Sequence, residues 1–165
     1  MNPSGISHGG VEAALSASDI SSPNRRVAAH NLCAGQGEGE ILWLDEALSF
    51  WGGTDLATGV ITDIHHPQHG VALPGRVLVM SASRGSSSSS SVLAEQIRAG
   101  VAPAAILLAV RDAIIVLGAL AASEIYDSAM PILLLDEVSL AELPRTGRVT
   151  VLSSDLDSSV TWKTS

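Results

Sequence analysis

One cysteine, five aromatic residues and nine lysines and arginines mark what this 165-residue chain is short of. Cys33 has no second cysteine to pair with, which excludes an intramolecular disulfide framework and the small secreted scaffolds built on one. A reducing, cytoplasmic setting is the expectation. Seventeen acidic residues bring the net charge to −8, and the basic residues are scattered singly or in pairs, so phosphate backbones and anionic membranes are repelled. Neither nucleic acid nor a membrane is an expected partner. Residues 1–24 lack both the basic start and the apolar run of a signal peptide and read as a mobile tail. The most apolar stretch, Val101 to Ala122, carries Arg111-Asp112 at its centre and Pro103 near its start, so it reads as two buried elements and no membrane span.

What the chain does have is material for one core: 46% apolar residues against 16% charged, in a length that suits a single domain. Arg26 to Cys33 and Glu40 to Leu44 are apolar segments, and the glycines from Ala34 to Gly39 read as turn chemistry between two strands. Ser49 to Gly75 is punctuated by Gly and Pro, with Gly59 to Ile64 as its one strand-like piece. A loop region of that length in a compact domain is more than a connection. The grammar then changes. Arg76 to Met80 predicts a buried strand, followed by Gly85, six serines and a helix whose apolar face is Val92, Leu93 and Ile97, with Glu95, Gln96 and Arg98 opposite. A serine is placed to cap that helix and Gly100 to end it. Ala104 to Val110 predicts a strand, Asp112 an N-cap, Ala113 to Tyr126 a helix apolar on most sides, Pro131 to Leu135 a buried strand and Arg148 to Leu152 a last one. Alternating strands and helices imply an α/β fold with a parallel sheet, joined here to an N-terminal β layer.

The passage from strand through Gly85 and the serines into a helix is the most informative feature. A helix start leaves several backbone N–H groups unpaired and carries partial positive charge, so small residues there let a carboxylate or phosphate come close. The same setting lowers the cost of a serine alkoxide. A plain Ser/Gly turn is the alternative. The segment has no P-loop lysine and no Gly-x-Ser-x-Gly elbow, and no triad accompanies it. His65, His66 and His69, with Asp63 beside them, are open to three readings: metal ligands, contacts to substrate or partner, or a hydrogen-bonded loop. Cys33 alone falls short of the several thiolates that an iron–sulfur cluster needs, so any such cluster is held by another protein. Phe50-Trp51 reads either as a packing plug or as an exposed patch, and Asp45-Glu46 as an acid pair or a solvated strand end.

The ordered series Leu44-Asp45-Glu46, Ser49-Phe50-Trp51-Gly52-Gly53, Thr58-Gly59, His66-Pro67 with Gly70, and Gly75-Arg76-Val77-Leu78-Val79 leading to Arg84-Gly85-Ser86-Ser87 resembles the small subunit, or swivel domain, of the aconitase X family over residues 25–138. The resemblance implies a β/β/α swivelling domain over residues 25–152, with 153–165 as a C-terminal tail. It implies a large partner subunit that holds an iron–sulfur centre and most substrate contacts, whose iron accepts the leaving hydroxyl, with no metal on this chain. It implies dehydration of a small hydroxy acid: cis-3-hydroxy-L-proline, giving Δ1-pyrroline-2-carboxylate, is favoured over phosphomevalonate. On the aconitase Gly-Ser-Ser-Arg pattern, Ser86 is the expected base and Ser87 a contact to the substrate carboxylate or phosphate. Ser88 stands where aconitases have the arginine and is the alternative base, which leaves that clamp to Arg84 or to the partner. Gly85, Gly52, Gly53 and His66 are expected around the closed pocket or subunit seam.

Overall fold

Asn24–Ala28 (β1) and His30–Cys33 (β2) are consecutive, yet they pair at opposite ends of one eight-stranded sheet. The computed structural model describes residues 24–164; residues 1–23 of the expected tail lie outside the described residues. In chain order the remaining elements are Gly35–Trp43 (β3), Phe50–Gly53 (α1), Arg76–Met80 (β4), Ser88–Ala99 (α2), Ala105–Leu108 (β5), Ala113–Tyr126 (α3), Ile132–Leu134 (β6), Glu137–Glu142 (α4), Arg148–Ser153 (β7) and Ser159–Lys163 (β8). The sheet order is β1-β8-β7-β3-β4-β5-β6-β2, with β3 to β6 mutually parallel and the flanking pairs antiparallel. Because one short segment supplies both end strands, the sheet curls back on itself.

That curl creates two cores. Side chains alternate along each strand, so Val77 and Val79 of β4 join Ala105, Leu107, Val149, Val151 and Val160 on one face. Leu78 and Met80 instead join Ile106, Leu108, Leu93 and Ile115 beneath the helices. Strand β5 is buried at all four positions because both its faces are covered, which is why it reads as an unbroken apolar run. Helix α3 packs its Ile115, Gly118, Ala119 and Ala122 face inward, while Leu117 and Ile125 stay exposed.

Three expectations are corrected. The glycine-rich Ala34–Gly39 stretch is no turn but the first half of β3: a Cβ on Gly37 would lie 2.1 Å from the Ala104 carbonyl oxygen, and one on Gly39 2.0 Å from that of Gly75. These glycines admit close backbone approach. The expected tail over residues 153–165 instead contributes a strand within its described part, since Ser159, Val160 and Trp162 of β8 are buried between β1 and β7. No serine side chain caps α2; Ser87 holds the N-cap position with helical angles, although Gly100 does end the helix in the left-handed region.

Candidate functional site

Strands β4, β5 and β6 end in register at Met80, Leu108 and Leu134, and β3 ends one residue earlier with Trp43 opposite Val79, so the loops that follow them emerge on one edge of the sheet. The carboxyl edge of parallel strands is where open α/β sheets bind ligands. The serine run leaves β4 on this edge.

The six serines divide by environment, with Ser91 exposed inside α2. Ser89 is fully buried and its hydroxyl accepts the Trp51 N–H at 3.3 Å. The Ser90 hydroxyl donates to the Ile114 carbonyl at 2.9 Å, tying the start of α2 to the start of α3. Ser86, Ser87 and Ser88 are exposed, and among the described residues neither their hydroxyls nor the amides of Ser87 and Ser88 have a partner. Their carbonyls are occupied: Ser86 and Ser87 accept the Ser89 and Ser90 amides, each at 3.0 Å. Gly85, at φ 110°, lets this loop pass Ser49, whose Oγ would lie 2.7 Å from a Cβ there.

The Ser49–Gly75 region braces that loop. Helix α1 is a single kinked turn in which Phe50 is fully buried and Trp51 is 60% exposed, so the pair is both a plug and a patch. Gly52 is exposed beside Trp51, while Gly53 is buried and its carbonyl accepts the Thr62 amide at 2.9 Å. Gln96, predicted on the polar face of α2, is instead buried, with its amide nitrogen donating to Thr54 Oγ1 at 2.9 Å and to the Asp55 carbonyl at 3.1 Å. The guanidinium of Arg84 pairs with Asp63 at 2.8 Å. The Asp63 carboxyl is held below its usual range by the His65 amide, and secondarily by the Arg84 charge, against a desolvation that raises it.

His66 is a buried wall residue. The Gln68 amide donates to its Nδ1 at 3.1 Å, so Nε2 carries the proton and faces the Glu46 carbonyl at 3.2 Å. With both ring nitrogens engaged within the chain, His66 fixes the loop. Asp45 accepts the Gln68 side-chain amide at 2.6 Å, so it belongs to the same brace and not to an acid pair. His65 and His69 are exposed, and among the described residues no three His, Cys, Asp or Glu side chains converge to hold a metal. The donors do not fit an iron–sulfur centre either. Cys33 lies buried under the helices, where burial pushes its thiol up.

Two fastenings escaped the sequence reading. One is the Asp63–Arg84 pair, for which no local spacing is a signal. The other is Asp112: legible as the α3 cap, it also accepts both the Ser83 amide, at 2.7 Å, and the Ser83 hydroxyl. Burial raises the Asp112 carboxyl, but the two bonds from Ser83 and those from the Ile115 and Ile114 amides outweigh it and hold the group below its ordinary value. The edge itself is open. A concavity of about 510 Å³ lies elsewhere, beside β3, β7 and β8, between Glu38, Arg148 and Trp162.

Against known proteins, the sequence model of the aconitase X swivel domain matches residues 26–160. The chain belongs to the aconitase X swivel-domain family. A cis-3-hydroxy-L-proline dehydratase of Pseudomonas aeruginosa is 45% identical over 111 residues, 67% of this chain and 19% of that protein. A phosphomevalonate dehydratase small subunit of Methanothermobacter thermautotrophicus is 40% identical over 88 residues, 53% of this chain and 67% of that one. The swivel-family chain thus spans about a fifth of the length of the hydroxyproline dehydratases it matches. The crystal structure of Thermococcus kodakaraensis aconitase X in its holo form superposes with a TM-score of 0.70 at 26% identity, covering 82% of this chain and 96% of that one. The expected α/β swivel fold is therefore found, and among the described residues no helix is long and apolar enough to cross a membrane.

Proposed function

We propose that this chain is the swivel subunit of a two-part hydro-lyase, supplying a serine base to a site that a larger, iron-bearing subunit completes. The observation that carries the reading is the group of three unengaged hydroxyls, Ser86 to Ser88, seated with unpaired amides at a helix start on the open carboxyl edge of a swivel-family domain. Ser86 lies just outside the helix and lines up with the first serine of the family's Gly-Ser-Ser, which assigns it the role of base. Ser87 and Ser88, whose amides point out of the first turn, are assigned to the substrate's anionic group.

The favoured substrate is cis-3-hydroxy-L-proline, supported by the 45% identity to a dehydratase of that name. Ser86 takes the proton from the carbon bearing the carboxylate and the C–O bond at the neighbouring carbon breaks; the departing hydroxide and the proton that Ser86 gives up on resetting together make up the water released. The resulting enamine tautomerises to Δ1-pyrroline-2-carboxylate. Helix-start amides favour this step by stabilising negative charge on the serine oxygen and on the carboxylate as the proton departs. The iron is assigned to the partner subunit. Phosphomevalonate is the second reading, supported by the 40% identity to a phosphomevalonate dehydratase small subunit. A reducing cytoplasm suits the one buried thiol.

The test is co-expression with the large aconitase X subunit, followed by assay of both hydroxy acids. The expected result is a co-purifying complex that dehydrates cis-3-hydroxy-L-proline while this chain alone does not. Full activity of the isolated chain, or a complex inert toward both substrates, contradicts the proposal; an inert but stable complex instead supports a non-catalytic binding module.

A further inference from the structure

Ser88 occupies the place where aconitases carry an arginine, and Arg84 is already paired with Asp63. We propose that Arg111 binds the substrate's carboxylate, an inference that rests on the dehydratase reading above. Of the eight arginines, five pair with carboxylates and Arg145 stacks on the Trp43 ring at 4.1 Å. Arg76 begins β4, at the far end of the strand from the serines. Arg111 is exposed and, among the described residues, has no ion pair, hydrogen bond or ring contact through its side chain. In a chain of net charge −8 with seventeen acidic residues, an unpartnered guanidinium on the carboxyl edge stands out electrostatically.

Its place is fixed from both sides by the loop that carries the serines. The Val110 amide donates to the Ser81 carbonyl at 2.9 Å, and Asp112 accepts the Ser83 amide at 2.7 Å. One helical turn further on, the Ser90 hydroxyl meets the Ile114 carbonyl, so α2 and α3 begin side by side. A Cβ on Gly118 would come within 2.7 Å of the Ser90 carbonyl oxygen, which shows how closely the two helices approach. Arg111 and Ser86 to Ser88 therefore open from adjacent strands, β5 and β4, onto one edge. A planar guanidinium matches a carboxylate with two parallel hydrogen bonds, a fit that a lysine ammonium does not reproduce. Binding the carboxylate there sets the proton-bearing carbon next to it within the serines' reach.

The experiment uses the complex with the large subunit and compares wild type, Arg111→Gln and Arg111→Lys. For R111Q the expected outcome is a KM for cis-3-hydroxy-L-proline raised about tenfold or more with kcat changed less than threefold, since the contact is made in both ground and transition states. R111K falls between. Inhibition by L-proline, which keeps the carboxylate and lacks the leaving hydroxyl, weakens by the same factor, whereas weak inhibition by prolinamide is unchanged. The melting temperature of R111Q stays within about 2 °C of wild type, because the side chain is exposed and makes no ion pair or hydrogen bond among the described residues. An active wild-type complex with R111Q kinetics within twofold overturns this inference alone, as does loss of assembly in R111Q, which makes Arg111 a subunit contact. A wild-type complex that dehydrates nothing overturns the functional reading and this inference with it.

Discussion

Replacing Asp112 by alanine removes one carboxylate that accepts four hydrogen bonds: from the Ser83 amide, the Ser83 hydroxyl, and the amides of Ile114 and Ile115 at 3.0 and 3.3 Å. Loss of an N-cap costs about 0.5–2 kcal/mol, and bonds to a charged acceptor contribute about 1.5–3 kcal/mol when intact. Half-burial screens part of this, and together they set an expected destabilisation of about 3 kcal/mol. For a domain of this size that lowers the melting temperature by roughly 6–12 °C. Asp112→Asn keeps one cap oxygen but turns an amide donor toward the Ser83 N–H, and is expected to cost about 1–2 kcal/mol. The pH dependence fixes the cause. The folded-state carboxyl lies below its ordinary value of 3.8, so the ionised form stabilises the fold at neutral pH, and that contribution fades as pH falls through the folded value. Urea melts at pH 7 and near pH 3 measure both. A pH 7 loss below about 0.5 kcal/mol, or a wild-type margin that does not shrink in acid, refutes the reasoning.

Two further outcomes concern the scaffold. Gly37→Ala drives a methyl to 2.1 Å from the Ala104 carbonyl, and neither side is a flexible chain end, so a loss of about 3 kcal/mol or failure to fold is expected by calorimetry and soluble yield. A Gly37→Ala protein as stable as wild type removes the close-approach account of β3. His66→Ala leaves the Glu46 carbonyl and the Gln68 amide without their ring partner and opens a cavity, for an expected loss of about 2–4 kcal/mol in urea titration. A His66→Ala protein with unchanged stability but impaired substrate binding would place His66 against the substrate and refute a purely bracing role.

How much was legible depended on whether a signal was local. Arg76–Met80, the helix ended by Gly100, the Asp112 cap and the helix to Tyr126 are all written in short-range pattern, and the structure repeats them within a residue or two. The Gly37 and Gly39 stretch misled because glycine marks two opposite things, a turn and a close approach, and the neighbour that decides, the loop at Ala104, is 67 residues away from Gly37. Strand β8 was missed because Ser159–Lys163 follows a Ser- and Asp-rich bend, although its Val160 and Trp162 alternate as a half-buried strand should. At the site, the serine loop announced itself, but its division into buried Ser89, tethered Ser90 and unengaged Ser86 to Ser88 depends on α1 and α3 packing against it. The pairing of Arg84 with Asp63 has the same origin, in two loops joined only by the fold.

The most direct measurement is the turnover number of the assembled complex carrying Ser86→Ala, beside Ser87→Ala and Ser88→Ala. A positioned general base contributes roughly a hundred- to ten-thousand-fold, so the account predicts a fall of that size for S86A, with assembly and melting temperature retained and smaller, KM-weighted losses for the other two. An S86A complex turning over within threefold of wild type would contradict it.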